Sequence, residues 1–235
     1  MRFIDTLWAA LQPIVDLQTG IIIGHEALVR GRAGSQWQMP EEIFGHAAET
    51  GQEEEVEARC RRLALWAQRM RLPEDQSLFV NVNLQYPLLQ LIPDGMPVAT
   101  ARVAIEVSEQ YEILRDPDVL ELLTSWREAG HLIVQDDYGV GYASLGNILA
   151  VHPDMIKLDR FMVAEVDRDR ERRLAIASTM NLAFDLGVEV VAEGVETVSE
   201  MRVLQDLGVH YAQGFLFGKP AWHAQMGTVA IVHEK

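Results

Sequence analysis

The stretch Gln12-Pro13-Ile14-Val15-Asp16-Leu17-Gln18-Thr19-Gly20-Ile21-Ile22-Ile23-Gly24-His25-Glu26-Ala27-Leu28-Val29-Arg30 decides the fold. Two apolar runs with strand character, Leu7–Val15 and Ile21–Val29, are separated only by Asp16-Leu17-Gln18-Thr19-Gly20. A connection that short makes an antiparallel hairpin and cannot carry the crossover that two parallel strands need. The rest of the chain alternates differently. Strand candidates at Leu78–Asn83, Val103–Val107, Leu132–Asp136, Met155–Leu158, Glu189–Ala192 and Tyr211–Gln213 are interleaved with helical periodicity at Pro40–Thr50, Glu53–Met70, Pro117–Ala129, Arg168–Leu186 and Val198–Leu207. Gly51-Gln52-Glu53 reads as a helix break and restart, and Gly130, Gly187 and Gly208 each close a helix shortly before a strand. Repeated strand–helix units imply parallel strands with right-handed crossovers. About eight such strands imply closure. The expectation is one α/β domain over residues 1–235, a modified TIM (β/α)8 barrel with one antiparallel strand. An open doubly wound sheet is the competing architecture. It would want a glycine-rich phosphate loop after an early strand, and none follows here.

The size suits that reading, because α/β barrels run to roughly 200–250 residues as single units. The chain has 235 residues, 49% of them hydrophobic and 23% charged, as in a folded protein and unlike a disordered one. Its 20 Lys+Arg against 35 Asp+Glu give a formal charge of −15. That balance speaks against binding DNA, RNA or an anionic membrane surface. A small anionic substrate stays open, since a metal ion inverts the local field. The only cysteine, Cys60, excludes intramolecular disulfides and cysteine metal cages. Met1-Arg2-Phe3-Ile4-Asp5 lacks a signal pattern, and no apolar run reaches the ~18 residues of a membrane span. A cytoplasmic protein without a membrane segment is expected.

In a parallel barrel the chemistry sits where the strands end. Those ends deliver Glu26, Asn81, Glu106, Asp136 with Asp137, Lys157, Glu193 and Gln213. Alternation places Glu26 on one face with Gly24 and Ile22, and Glu106 with Ala104, small neighbours that leave room for a ligand. Each residue alone has a plainer reading: Glu26 on a helix turn, Asn81 as a turn former, Asp136-Asp137 as an acidic turn, Lys157 facing outward, Glu193 near the start of the next helix. Together they put five carboxylates, two amides and one lysine on a single rim. Oxygen ligands without His or Cys suit Mg²⁺ or Mn²⁺ rather than zinc. Two such ions about 3.5–4 Å apart stabilise the attacking and leaving oxygens in phosphodiester displacement. A lysine among them orients or deprotonates water. The residues therefore point to a metal-dependent phosphodiesterase.

The same residues resemble the EAL-domain cyclic di-GMP phosphodiesterases. Glu26-Ala27-Leu28-Val29-Arg30 is similar to the family's signature. Gln12-Pro13-Ile14-Val15, Asn81-Val82-Asn83, Glu106-Val107-Ser108-Glu109, Asp136-Asp137-Tyr138-Gly139-Val140-Gly141-Tyr142, Ile156-Lys157-Leu158-Asp159, Ala192-Glu193-Gly194-Val195-Glu196-Thr197 and Gln213-Gly214-Phe215 with Lys219-Pro220 resemble its other motifs, in order. The resemblance implies hydrolysis of cyclic di-GMP to linear 5′-pGpG with two Mg²⁺ or Mn²⁺ ions, and inhibition by Ca²⁺. It implies that Glu26, Asn81, Glu106 and Asp136 hold one ion, and that Asp136 and Asp137 reach the second. Lys157 would contact the nucleophilic water, Glu193 would bind near the metals, and Gln213 would position water. Gln12 and Arg30 would meet the substrate, Arg30 through a phosphate, with Asp159 as a further contact. Glu196 would brace the loop after Asp137.

Two positions depart from the family pattern. Val140 stands where the double-aspartate loop usually has threonine, and Asn83 stands where the asparagine strand usually ends in serine. Neither removes a proposed ligand. A non-catalytic cyclic di-GMP receptor would lack metal carboxylates, and a signalling interaction module would tolerate loss of Lys157 and Glu193. All are present. The resemblance also suggests a homodimer, for which Tyr142, Leu145, Ile148 and Leu149 offer an apolar set; the competing reading is a helix packed inward on the barrel. An upstream sensory or GGDEF domain is a common companion of such domains.

Overall fold

Eight strands close into a barrel in sequence order: β1 (Trp8–Asp16), β2 (Ile22–Arg30), β3 (Ser77–Val82), β4 (Val103–Ser108), β5 (Leu132–Tyr138), β6 (Met155–Leu158), β7 (Glu189–Ala192) and β8 (Tyr211–Gln213). The structure is a computed structural model and describes residues 2–85, 103–108, 113, 116–139, 145–224 and 229. β1 runs antiparallel to both of its neighbours, β2 and β8. The other pairings are parallel. The short hairpin forms because the Asp16 carboxylate accepts the N–H groups of Gln18 at 2.8 Å and Thr19 at 2.7 Å. This is the Asx-type turn that aspartate favours. Reversal of β1 has a consequence for the rim. Its first residues lie where the parallel strands end, so Trp8 stands opposite Arg30 and Gln12 opposite Glu26.

The helices are α1 (Pro40–Thr50), α2 (Glu53–Arg71), α3 (Pro117–Glu128), α4 (Leu145–Val151), α5 (Arg160–Val163), α6 (Arg170–Leu186) and α7 (Val198–Asp206). Their starts follow local chemistry. Asp116 caps α3 by accepting from Asp118 and Val119, and Asp169 caps α6 by accepting from Glu171 and Arg172. Thr197 and Glu200 cap α7 reciprocally. Gly187 ends α6 at φ 69°, a left-handed conformation that costs glycine little. α4 falls where the apolar set Leu145, Ile148 and Leu149 allowed a helix; α5 was not foreseen in the sequence, because four residues are too few to show a helical period. Among the described residues no helix is long and apolar enough to cross a membrane.

The barrel is packed, not hollow. Ile14, Phe79, Ala104, Val134, Met155 and Val191 form its apolar inner layer. Two larger clusters lie between strands and helices. This corrects the reading of the small neighbours. A Cβ on Gly24 would lie 2.3 Å from the Ser77 carbonyl oxygen and 2.9 Å from the Phe79 ring. Gly24 and Ala104 thus admit close packing under the rim rather than a ligand. Nor does Ile22 share the face of Glu26. The register shifts between Ile14 and Val15; Ile22 joins the outer cluster with Val15 and Leu17, while Ile23 packs against the inner layer. The proposed dimer set also divides. Ile148 is buried in the outer core and Leu149 is 52% exposed. Tyr142 and Val140 lie outside the described residues, as does the side chain of Leu145.

Candidate active site

Beside the apolar layer, towards the rim, each strand contributes a polar side chain. They are Gln12 from β1, Glu26 from β2, Asn81 from β3, Glu106 from β4, Asp136 from β5, Lys157 from β6, Glu193 one residue past β7, and Gln213 from β8. The pleat explains the set, since residues two apart share a face. Phe79 is followed by Asn81, Ala104 by Glu106, Val134 by Asp136, Met155 by Lys157 and Val191 by Glu193.

Lys157 lies at the centre and is only 1% exposed. Its Nζ is 2.5 Å from Glu193 Oε1, 2.7 Å from Glu106 Oε1, 3.2 Å from Asp136 Oδ1 and 3.6 Å from Glu26 Oε2. Amides close the ring. Asn81 Nδ2 donates to Glu26 Oε1 at 2.8 Å and Glu106 Oε2 at 2.9 Å. Gln213 Nε2 donates to Glu26 Oε2 at 2.6 Å and Gln12 Oε1 at 3.1 Å, and Gln12 Nε2 donates to the Gly218 carbonyl at 3.1 Å. Gln213 Oε1 is buried without an acceptor's partner.

Strict alternation would turn Asp137 away from Asp136. Instead β5 shifts register between Gln135 and Tyr138, and Asp137 adopts φ 57°. Aspartate is among the few residues that visit this left-handed region, at a cost of roughly 1–2 kcal/mol. The irregularity brings oxygens of Asp136, Asp137 and Glu193 within 4.8 Å of one another. Bulges and strained residues of this kind cluster at functional sites.

Burial and neighbouring negative charge shift the group. Burial, then Glu26, lifts the Glu106 carboxyl well above the ordinary range despite Lys157. Burial, then Asp136, pushes Asp137 up to about 6. Burial raises Glu193 as well. Burial alone would lower Lys157, but the carboxylates of Asp136, Glu106, Glu193 and Glu26 outweigh it and hold its ammonium protonated. Five ionised carboxylates against one ammonium would leave four negative charges uncompensated, which is why several favour the proton. Two divalent ions carry the missing charge, and the donors are all oxygen. The residues therefore fit a pair of Mg²⁺- or Mn²⁺-like ions.

The remaining residues singled out in the sequence surround this layer. Arg30 ends β2 on the face of Glu26, half-buried, with Nη1 on the Val29 carbonyl at 2.8 Å. Asp159 caps α5, accepting from the Phe161 N–H at 2.6 Å. Glu196 pairs with Arg160. Arg160 is a rim residue that the sequence reading missed. Its signals were its place just after the Asp159 cap and the glycine at 194: a Cβ on Gly194, φ 66°, would lie 2.7 Å from Arg160 Cγ. Asn83 shares a hydrogen bond with the buried Glu57 of α2 and accepts from the Gln85 N–H at 3.0 Å. A cavity of about 630 Å³ opens beside the rim, where Asn81, Asn83 and Ser108 meet Leu28 and Phe44.

A barrel whose rim gathers carboxylates around one buried lysine is a site that could hold divalent metal. The sequence model of the EAL domain matches residues 5–220, and the chain belongs to the EAL-domain family. A probable cyclic di-GMP phosphodiesterase of Escherichia coli, PdeB, is 31% identical over 88% of the chain. The chain spans only 41% of that relative's length. Among solved structures, the PaMucR phosphodiesterase in complex with c-di-GMP has a TM-score of 0.73 and 29% identity, covering 92% of each chain. The calcium and cy-diGMP complex of Klebsiella pneumoniae BlrP1 has a TM-score of 0.77 and 31% identity, covering 92% of this chain and 56% of that one.

Proposed function

We propose that the chain hydrolyses cyclic di-GMP to linear 5′-pGpG with two Mg²⁺ or Mn²⁺ ions at its rim. The observation that carries this reading is the polar layer itself, in which four carboxylates lie within 3.6 Å of one buried ammonium and an oxygen of Asp137 converges with those of Asp136 and Glu193. Glu26, Asn81, Glu106 and Asp136 would hold one ion, and Asp136 and Asp137 the other. Such ions, when bound, stabilise the attacking and leaving oxygens of the displacement. For Asn81 to ligate, its amide must turn over, since its nitrogen now faces both glutamates.

The chain's own groups supply the rest. Lys157, a buried ammonium, orients the attacking water and balances the charge that develops on it. Glu193 holds Lys157 in place. Gln213 Oε1, lacking a donor, accepts from the water. Arg30 binds a phosphate through guanidinium N–H groups its own backbone bond leaves free. Gln12 and Asp159 contact the substrate from β1 and the α5 cap. Glu196, tied to Arg160, braces the rim beside the double aspartate. Ca²⁺ inhibits, because it prefers longer bonds and more ligands than Mg²⁺. The same reading carries a cytoplasmic homodimer to which Leu149 contributes exposed apolar surface, and an upstream sensory or GGDEF partner.

The test is turnover of cyclic di-GMP by the purified chain, followed by separation of products, with Mg²⁺, Mn²⁺, Ca²⁺ or EDTA. Mg²⁺ or Mn²⁺ should yield 5′-pGpG, and EDTA, Ca²⁺ or Glu26→Ala should abolish it. Undiminished turnover in EDTA or in Glu26→Ala overturns the mechanism. Saturable binding without product under any of the metals would make the chain a receptor.

A further inference from the structure

On the outside of the barrel, where β1 begins, a surface cleft of about 440 Å³ is lined by Trp8, Arg59, Arg62, Trp66, Arg71 and Trp222. It is separate from the rim and unused by the reaction. The chain carries a formal charge of −15, yet three guanidinium groups gather here. Among the described residues no carboxylate forms a salt bridge with Arg59, Arg62 or Arg71.

Arg71 has a structural role. Its Nη1 donates to the carbonyls of Ala9 at 3.0 Å and Trp222 at 2.8 Å, and its Cζ lies 3.6 Å over the Trp222 ring and 4.8 Å over the Trp66 ring. It fixes the two indoles, whose centroids are 6.3 Å apart. Both rings remain open to solvent, Trp66 at 42% and Trp222 at 44% exposure. Among the described residues Arg59 and Arg62 have no such structural duty, and Arg59 Nε is buried and finds no hydrogen-bond acceptor. A rigid aromatic surface beside unpaired guanidinium donors offers stacking and charge-assisted hydrogen bonds at once. The volume falls within the roughly 300–1,000 Å³ of small-molecule sites.

We propose that this cleft binds a nucleoside monophosphate, its base stacked on the exposed Trp66 indole, whose plane is tilted 49° from that of Trp222, and its phosphate held by Arg59 and Arg62. Inorganic phosphate would leave the indoles uncovered, and a nucleoside would leave the guanidinium groups unpaired. The site can also be felt at the rim. The Trp8 indole N–H donates to the Gly31 carbonyl at 3.1 Å, next to Arg30, and Trp8 is the register partner of Arg30.

Calorimetric titration of the intact, EDTA-treated chain with GMP tests the site. Saturable binding is expected, at least about tenfold tighter than guanosine or inorganic phosphate. Arg62→Glu, at an exposed position, should weaken it by about tenfold or more, the scale of one charge-assisted bond. Trp66→Ala should do the same; if that variant fails to fold, Arg62→Glu alone decides. Glu26→Gln, a change at the rim, should leave GMP affinity unaltered. Absence of saturable binding, equal affinity in Arg62→Glu, loss of binding in Glu26→Gln, or tighter binding of a glutamate-rich peptide than of GMP would each overturn the proposal.

Discussion

The apolar layer around Phe79 and the polar layer around Lys157 are built on the same strands, one pleat apart. The lower layer is filled to contact, so that even a Cβ on Gly24 would collide with the Phe79 ring. The upper layer holds like charges that repel one another, a strained aspartate and an acceptor with no donor. The lower layer stabilises the barrel. The upper one stores an imbalance that bound cations would relieve. Repelling groups stay at fixed distances because the packed layer beneath holds their strands.

The largest expected effect separates the two layers by stability. Phe79→Ala should leave a cavity in the apolar layer and cost about 3–5 kcal/mol, measured by denaturant unfolding. Glu26→Gln should cost little or raise stability in EDTA, since it removes one of the uncompensated charges and keeps the shape, while abolishing turnover. If Glu26→Gln destabilised the chain as much as Phe79→Ala, the upper layer would be structural.

Lys157→Met sharpens the contrast inside the polar layer. Removing the one cation from a buried cluster costs up to about 3–5 kcal/mol when the charges left behind stay uncompensated. Here Glu106 and Glu193 already favour their protonated forms, so a loss of about 2–3 kcal/mol in EDTA is expected, partly restored by Mg²⁺. The turnover number should fall by about 10²–10⁴, the scale of a lost proton-transfer group, with less change in KM. A normal turnover number would make the lysine a counter-ion only.

The barrel was legible because each of its signals is local. The five-residue Asp16–Gly20 turn forced one reversed strand, and Gly130, Gly187 and Gly208 marked the ends of helices whose periods were long enough to see. The rim residues were legible because a parallel barrel fixes where strands end. What escaped the sequence depends on contacts between distant residues. Ile22 left the inner face through a bulge that alternation does not announce. Gly24 and Ala104 looked like space and proved to be packing. Arg160 meets Glu196 across 36 positions, and no window reveals such a pair. Gln12 read as a substrate contact; the structure adds that it is tied to Gln213 and Gly218.

A third change isolates the strain at the double aspartate. Asp137 sits at φ 57°, so Asp137→Gly should gain roughly 0.5–1 kcal/mol, the relief of left-handed strain less the entropy that glycine loses on folding. Asp137→Asn tolerates the same backbone and should be nearly neutral. Both should raise the Mg²⁺ concentration needed for activity. Were Asp137→Gly less stable than the parent by more than about 1 kcal/mol, the bulge would be held by the aspartate side chain rather than in spite of it.

The last change concerns Asn83, one residue past β3, where the family pattern has serine. Burial raises the Glu57 carboxyl, and Arg61 and the Asn83 hydrogen bond pull it part of the way back. A carboxyl whose folded pKa lies above its unfolded value loses stability as pH rises, because the folded state resists giving up the proton. Asn83→Ala removes a bond that favours the charged form, so the Glu57 pKa should climb further. The variant should then be about 0.5–1.5 kcal/mol less stable at neutral pH. That deficit should shrink below about pH 4, where Glu57 is protonated in both states. Loss of the Gln85 N–H bond to Asn83 adds a part that pH does not change. Urea midpoints of parent and variant across this range separate the two contributions. A deficit constant with pH would mean that Glu57 does not depend on Asn83, and that the residue matters only as the acceptor for Gln85.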